Sequence, residues 1–150
     1  MAFKIDRKDI DRLSKRFKVA PEVVKKRVSD IISTSVISIE NNARARAPLG
    51  LTYGLKGSIY STPYNSNVGA EVGARVFYAP FVEFGTGPGP GDSFQIPVYR
   101  NLNMNSLEAY AQTFKRNNGN VVNLPHRPFL FNSASEELYK MVNSIKKIKI

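Results

Sequence analysis

A chain of 150 residues, 42% hydrophobic and 23% charged, has room for one domain core, burying about 68–70% of the surface its unfolded form exposes. The absence of cysteine excludes disulfides, thiolate nucleophiles and Cys-based zinc sites. The formal charge of +10 is concentrated at the start, where residues 1–27 carry ten Lys/Arg against four Asp/Glu. Such a cluster attracts an acidic protein surface or nucleic acid, or simply solvates a helix face.

Within residues 9–18, Ile10, Leu13 and Phe17 recur at helical spacing and predict a short amphipathic helix. Its charged face forms a basic arm over about residues 1–20. Pro21 suits the first turn of a second helix, and Val24, Val28, Ile32, Val36, Ile39 and Ala43 form one apolar stripe along it. That long helix should end near Ala47-Pro48, because the residue before proline is pushed out of the helical region. Arg44 and Arg46 then fall in its last turn, where the macrodipole favours cations.

Between residues 49 and 77 the pattern changes to period two, in Ser58 to Ser61 and in Val68, Ala70, Val72 and Ala74, and predicts two antiparallel strands. Residues 85–91 hold four Gly and two Pro, which marks a surface loop. A helix is expected over residues 106–116, with Ser106 as N-cap, inside an excursion of about residues 86–120. Val121 to Leu124 can return as a strand. Ser133-Ala134-Ser135-Glu136 reads as a capping box opening a last helix, with Leu138, Val142 and Ile145 on one side. The expected fold is therefore one α+β domain, a long N-terminal helix and a C-terminal helix packed on a small antiparallel sheet, with a long Gly/Pro-rich loop.

Little in the sequence points to catalysis. His126 is the sole histidine, and a hydrolytic reading would rest on His126 and Glu83 alone. The run Gly85-Thr86-Gly87-Pro88-Gly89-Pro90-Gly91 has the glycine content of a phosphate cradle. However, Pro88 and Pro90 lack the N–H donors that phosphate oxygens need, and no Lys-Ser/Thr pair follows. No enzyme activity, cofactor or metal is expected. Glu83 stands among Tyr78, Pro80, Phe81, Val82 and Phe84, so it either points outward or is partly buried and must find a cation or amide donors. Arg44, Arg46, Arg75 and Arg127 are the candidates for an ion pair.

The stretch Tyr78-Ala79-Pro80-Phe81-Val82-Glu83-Phe84-Gly85-Thr86-Gly87 resembles the hallmark of the tail-completion, or neck, proteins of long-tailed bacteriophages, of the Hong Kong 97 type and related to minor tail protein Z. Three more features match in order. These are a long helix running into Asn42-Ala43-Arg44-Ala45-Arg46-Ala47-Pro48, a Gly-Leu-Lys-Gly-Ser-Ile segment at Gly54 to Ile59, and His126-Arg127-Pro128-Phe129-Leu130 before the final helix. Leu49-Gly50-Leu51-Thr52 stands where members of that family often carry Asp-Thr-Gly.

The resemblance implies a structural virion protein, assembled in the host cytoplasm, that completes the head-proximal end of the tail and joins it to the head. Its partners would be copies of itself in a ring, expected to be hexameric, adjacent neck and tail proteins, and nonspecifically the genome DNA. No membrane contact is expected: no apolar run approaches the roughly 20 residues of a membrane span, and residues 1–8 lack the apolar segment of a signal peptide. Tyr78, Pro80, Phe81, Glu83, Gly85, Thr86, Gly87 and Pro88 are the expected interface residues. Phe84 and Phe129 are expected in the core, and a positive φ is expected at Gly85 to end the turn. The alternative reading is a basic nucleic-acid-binding protein using Lys15, Arg16, Lys18, Lys25, Lys26 and Arg27.

Overall fold

A computed structural model describes residues 2–4, 22–50, 53–64, 68–86, 106, 109–111, 113 and 125–148. The elements in chain order are strand β1 (Ala2–Lys4), helix α1 (Glu22–Arg46), helix α2 (Gly54–Ser58), strands β2 (Ile59–Tyr64) and β3 (Gly69–Ala74), helix α3 (Ala79–Phe84) and helix α4 (Leu130–Lys146). The architecture is the α+β arrangement that the hydrophobic patterning predicts. The expected helix over 9–18, the strand at 121–124 and the loop beyond Thr86 lie outside the described residues. Of the helix expected over 106–116, residues 106 and 109–111 are helical, Ser106 thus lying inside the helix and not at its cap, while Thr113 is in a turn with its N–H and hydroxyl both donating to the Tyr110 carbonyl.

All six residues of the α1 stripe are buried, with Ile39 and Ala43 almost fully enclosed. Burying Val and Ile side chains at about 1.5–3 kcal/mol each makes this stripe the main adhesive of the fold. Glu22 opens the helix and Arg44 and Arg46 close it, matching the sign of the macrodipole at each end. The amide of Ala47 still reaches the Ala43 carbonyl at 2.9 Å before Pro48 stops the ladder. The stripe packs on α4 and on the β2–β3 pair.

The sheet has the order β1-β3-β2, antiparallel throughout. β2 and β3 pair from Ile59↔Ala74 to Tyr64↔Gly69, and residues 2–4 add a third strand that the sequence pattern did not announce, Phe3 lying opposite Val72. Ile59, Ala70, Val72 and Ala74 are buried against the helices. On the opposite face the Tyr60 hydroxyl donates to Glu71 at 2.6 Å, and the Arg75 guanidinium lies 4.8 Å from the Tyr60 ring centre. Donating to Glu71 holds the Tyr60 phenol above its ordinary range. Gly69 leaves room for the Tyr64 ring that covers it: a Cβ there would lie 2.3 Å from that ring and would displace it.

The Arg75 N–H donates to the Ser58 carbonyl at 3.2 Å, which sets the alternation of the ladder. Tyr60 and Thr62 therefore bond to β3, while the backbone polar groups of Ile59, Ser61 and Pro63 face the open edge. Arg44 occupies part of that edge. Its guanidinium donates to the Ile59 carbonyl at 2.8 Å and pairs with Glu40 at 2.7 Å, and Glu40 also accepts from the Ser61 hydroxyl.

The capping-box expectation is corrected. α4 begins at Leu130, three residues before Ser133, and the buried Ser133 hydroxyl donates back to the Phe129 carbonyl at 2.7 Å. The inward face is also shifted. Leu130, Phe131, Ser133, Ala134, Glu137 and Met141 are the buried positions, with Leu138 and Ile145 half-buried against the core beside them. Val142 is half-buried as well.

Candidate functional site

The conspicuous run Tyr78 to Thr86 forms a compact corner. After β3 the Ala79 N–H closes a turn onto the Val76 carbonyl at 3.2 Å, with Tyr78 at φ −87°, ψ −3°, the values of a type I turn. Pro80 falls in the first turn of α3, where it costs no hydrogen bond. Just past Phe84, Gly85 ends the helix at φ 69°, ψ 174°, a conformation open only to glycine, as its position after the aromatic run predicts.

Glu83 is 2% exposed, and its carboxylate is fully occupied. One oxygen, Oε2, accepts from the backbone N–H groups of Phe129 at 2.9 Å and Leu130 at 3.0 Å, and Oε1 accepts from that of Phe131 at 3.0 Å. These are amides that open α4, which has no local side-chain cap. A helix start leaves such donors without intrahelical partners and carries a partial positive charge, so a carboxylate satisfies both needs. Burial pushes the Glu83 carboxyl above its ordinary range, opposed by the three amides. The corner is sealed by the Arg127 N–H, which donates to the Val82 carbonyl at 2.8 Å. It is packed by the Phe84 ring, 5.5 Å from Phe131 and edge-on to Tyr110 at 5.8 Å. Phe84 and Phe129 are in the core, as expected.

The ion-pair expectation for Glu83 is corrected: amides, not arginines, neutralise it. Arg44 serves Glu40 and the Ile59 carbonyl. Arg46 grips both oxygens of Glu136 at 2.8 Å and reaches Ser133 at 3.5 Å. Arg75 lies over Tyr60, and Arg127 contributes its backbone, its side chain being exposed. The interface expectation is corrected in part. Pro80, Glu83, Gly85 and Thr86 are buried within the chain itself, because the corner is folded inward to hold α4. Tyr78 and Phe81 are half-buried and keep some accessible surface, while Gly87 and Pro88 lie outside the described residues.

Lys25, Lys26 and Arg27 are exposed in the first turns of α1, where Lys25 pairs with Glu22 at 2.6 Å, whereas Lys15, Arg16 and Lys18 lie outside the described residues. His126 is exposed and Glu83 is enclosed, so the two candidates for hydrolysis face different surroundings. A general base needs a lone pair open to substrate, and both Glu83 oxygens are committed to backbone donors. What this arrangement accomplishes chemically is to fix the direction of α4.

One exposed residue escaped the sequence reading. Phe77, at the tip of the turn, is 86% exposed, with its ring edge-on to Tyr78 at 5.6 Å. The available signal was its place between two small core residues, Ala74 and Ala79, with too few residues between for both flanks to be inside unless the tip is outside. Among the described residues no group of three or more His, Asp or Glu is placed to hold a metal, and no helix is long and apolar enough to cross a membrane. No family model, curated protein or solved structure matches the chain.

Proposed function

We propose that the chain is a structural virion protein of a bacteriophage neck, forming a ring of copies that completes the head-proximal end of the tail and joins it to the head. The observation that carries this reading is convergence. The four segments on which the resemblance rests are far apart in sequence, yet named bonds tie them into one unit. Arg44 joins the end of α1 to Ile59, Arg46 joins it to Ser133 and Glu136 on α4, Glu83 holds the start of α4, and Arg127 is bonded to Val82. A conspicuous motif spent on internal architecture suits a protein whose task is to hold a shape, with surface loops and termini left to meet neighbours.

The test is genetic and compositional. Mass spectrometry of purified particles should find the chain in a few copies, and particles made without it should accumulate as separate heads and tails. Normally joined, infectious particles in its absence would overturn the reading. The exposed Lys25, Lys26 and Arg27 favour DNA contact as a second reading. It requires a gel shift whose logarithmic salt dependence has a slope of about −0.9 per phosphate neutralised. Absence of a shift at low ionic strength removes it.

A further inference from the structure

Two aromatic residues are held out in solvent by backbone geometry at the same end of the β2–β3 pair. Phe77 sits at the second position of the turn closed by Ala79 N–H and Val76 C=O, between Ala74 and Ala79, both buried in the core. Its exposure is imposed by those flanks. Tyr53, 64% exposed, takes φ 53°, ψ 11° at the start of α2, a left-handed conformation that a bulky residue rarely adopts. The two turns are joined directly: α2 runs from Gly54, the residue after Tyr53, to Ser58, and the Ser58 carbonyl accepts the N–H of Arg75, two residues before Phe77.

Among the described residues two cations stand on the segments that meet here, with Glu71 nearby but engaged by the Tyr60 hydroxyl. Lys56 on α2 and Arg75 beside the turn are in no ion pair among the described residues. We propose that this end of the molecule, with Phe77 as anchor and Tyr53, Lys56 and Arg75 on the segments that the Arg75–Ser58 bond joins, is a docking surface for a different protein that offers an apolar socket rimmed by carboxylates. The assignment rests on reading the chain as an assembly protein and specifies the chemistry of one of its neighbours.

Charge decides the occupant. A second copy would have to supply the acidic rim; its described carboxylates, Asp30 apart, are bonded within the chain, at Lys25, Arg44, Tyr60, the α4 amides, Arg46 and Lys140, while Asp6, Asp9, Asp11, Asp92 and Glu108 lie outside the described residues, so the choice of partner rests on net charge. Asp30 stands one helical turn from Lys26 and Arg27 on a basic face. Two copies, each at +10, would meet through like charge at this end. An acidic partner gains at each step. Steering comes from Lys56 and Arg75, and the aromatic anchor is already fixed by its turn, so little ordering entropy is lost on binding.

The test uses the full chain and a short synthetic amphipathic helix with Leu on one face and Glu on the other. Two reference peptides carry Lys in place of Glu or Ser in place of Leu. The Leu/Glu peptide should bind saturably and shift the NMR signals of Tyr53, Arg75 and Phe77. Phe77→Ala should weaken binding by roughly tenfold or more while leaving the thermal midpoint unchanged, because the ring is in solvent. Lys56→Glu and Arg75→Glu should weaken it and flatten its salt dependence. Equal binding of the Lys peptide, or undiminished binding by a folded Phe77→Ala variant, overturns the proposal. So does preferred binding of an oligothymidylate at the same residues, or self-association that Phe77→Ala abolishes. None of these outcomes depends on whether the chain is found in particles, so the two readings fail separately.

Discussion

Replacing Glu83 with leucine keeps the approximate volume and removes every acceptor at the start of α4. Three buried N–H groups, now bonded at 2.9–3.0 Å, would lose their partner. A buried donor left unsatisfied costs about 1–3 kcal/mol, and the favourable contact with the helix terminus is lost as well, while the cost of burying a carboxylate is recovered. The net loss expected is about 3–5 kcal/mol, a large share of the 5–15 kcal/mol typical of a domain. At this chain length it should lower Tm by roughly 10–15 °C. Glu83→Gln keeps one oxygen for two of the three amides and sets an NH2 group against the third, so its loss should be nearer about 1–2 kcal/mol. Circular dichroism melts and urea unfolding of the three proteins at one pH measure the series. If Glu83→Leu lay within about 1 kcal/mol of the wild type, the carboxylate would not be the acceptor that holds α4, and the account of the corner would fail.

Three further outcomes follow from named contacts. Because burial holds the Glu83 carboxyl above its ordinary 4.5, its titration contributes stability in full below that value and loses it as pH rises through the folded value. The urea-midpoint advantage of the wild type over Glu83→Gln should therefore shrink as pH is raised from about 4, and a widening gap would contradict it. Gly85→Ala forces a side chain onto φ 69°, ψ 174° in a buried position, and should cost about 1–3 kcal/mol in thermal unfolding. Arg46→Ala breaks a two-pronged contact with Glu136, but both side chains are over a third exposed, so solvent screening should keep the loss under about 1 kcal/mol.

Those contacts also mark where the sequence was readable. α1 was plain because its signal is local: an apolar stripe at helical spacing, bounded by proline at both ends, came out buried at every position. The alternation was equally direct at Ala70, Val72 and Ala74, which are buried, whereas Val68, its first expected member, is half-buried in the turn before β3. The start of α4 was misplaced because its cap is not local. Ser133 and Glu136 have the spacing of a capping box, yet the acceptor used is Glu83, 46 residues before Phe129, and nothing within a short window reveals it. The burial of Glu83 was foreseeable as one of two options, and which donors met it depended on where α4 began. β1 was missed because a three-residue strand is too short to show alternation, and its partner residues in β3, Gly73 opposite Ala2, lie far along the chain. Phe77 was overlooked because the aromatic run beside it reads as a single block, and only the turn separates its tip from its inward members.

The guanidinium that covers part of β2 has a consequence for how copies of this protein behave at high concentration. An uncovered outermost strand is a template onto which another chain can add, and repeated addition gives fibres. Here Arg44 occupies the Ile59 carbonyl, and Pro63, two residues past Ser61, brings no amide to that edge. Ser61 is left as one short rung between two blocked ones. The β2 edge thus offers little for another chain to zip onto, leaving side-chain complementarity to govern how subunits meet on that side.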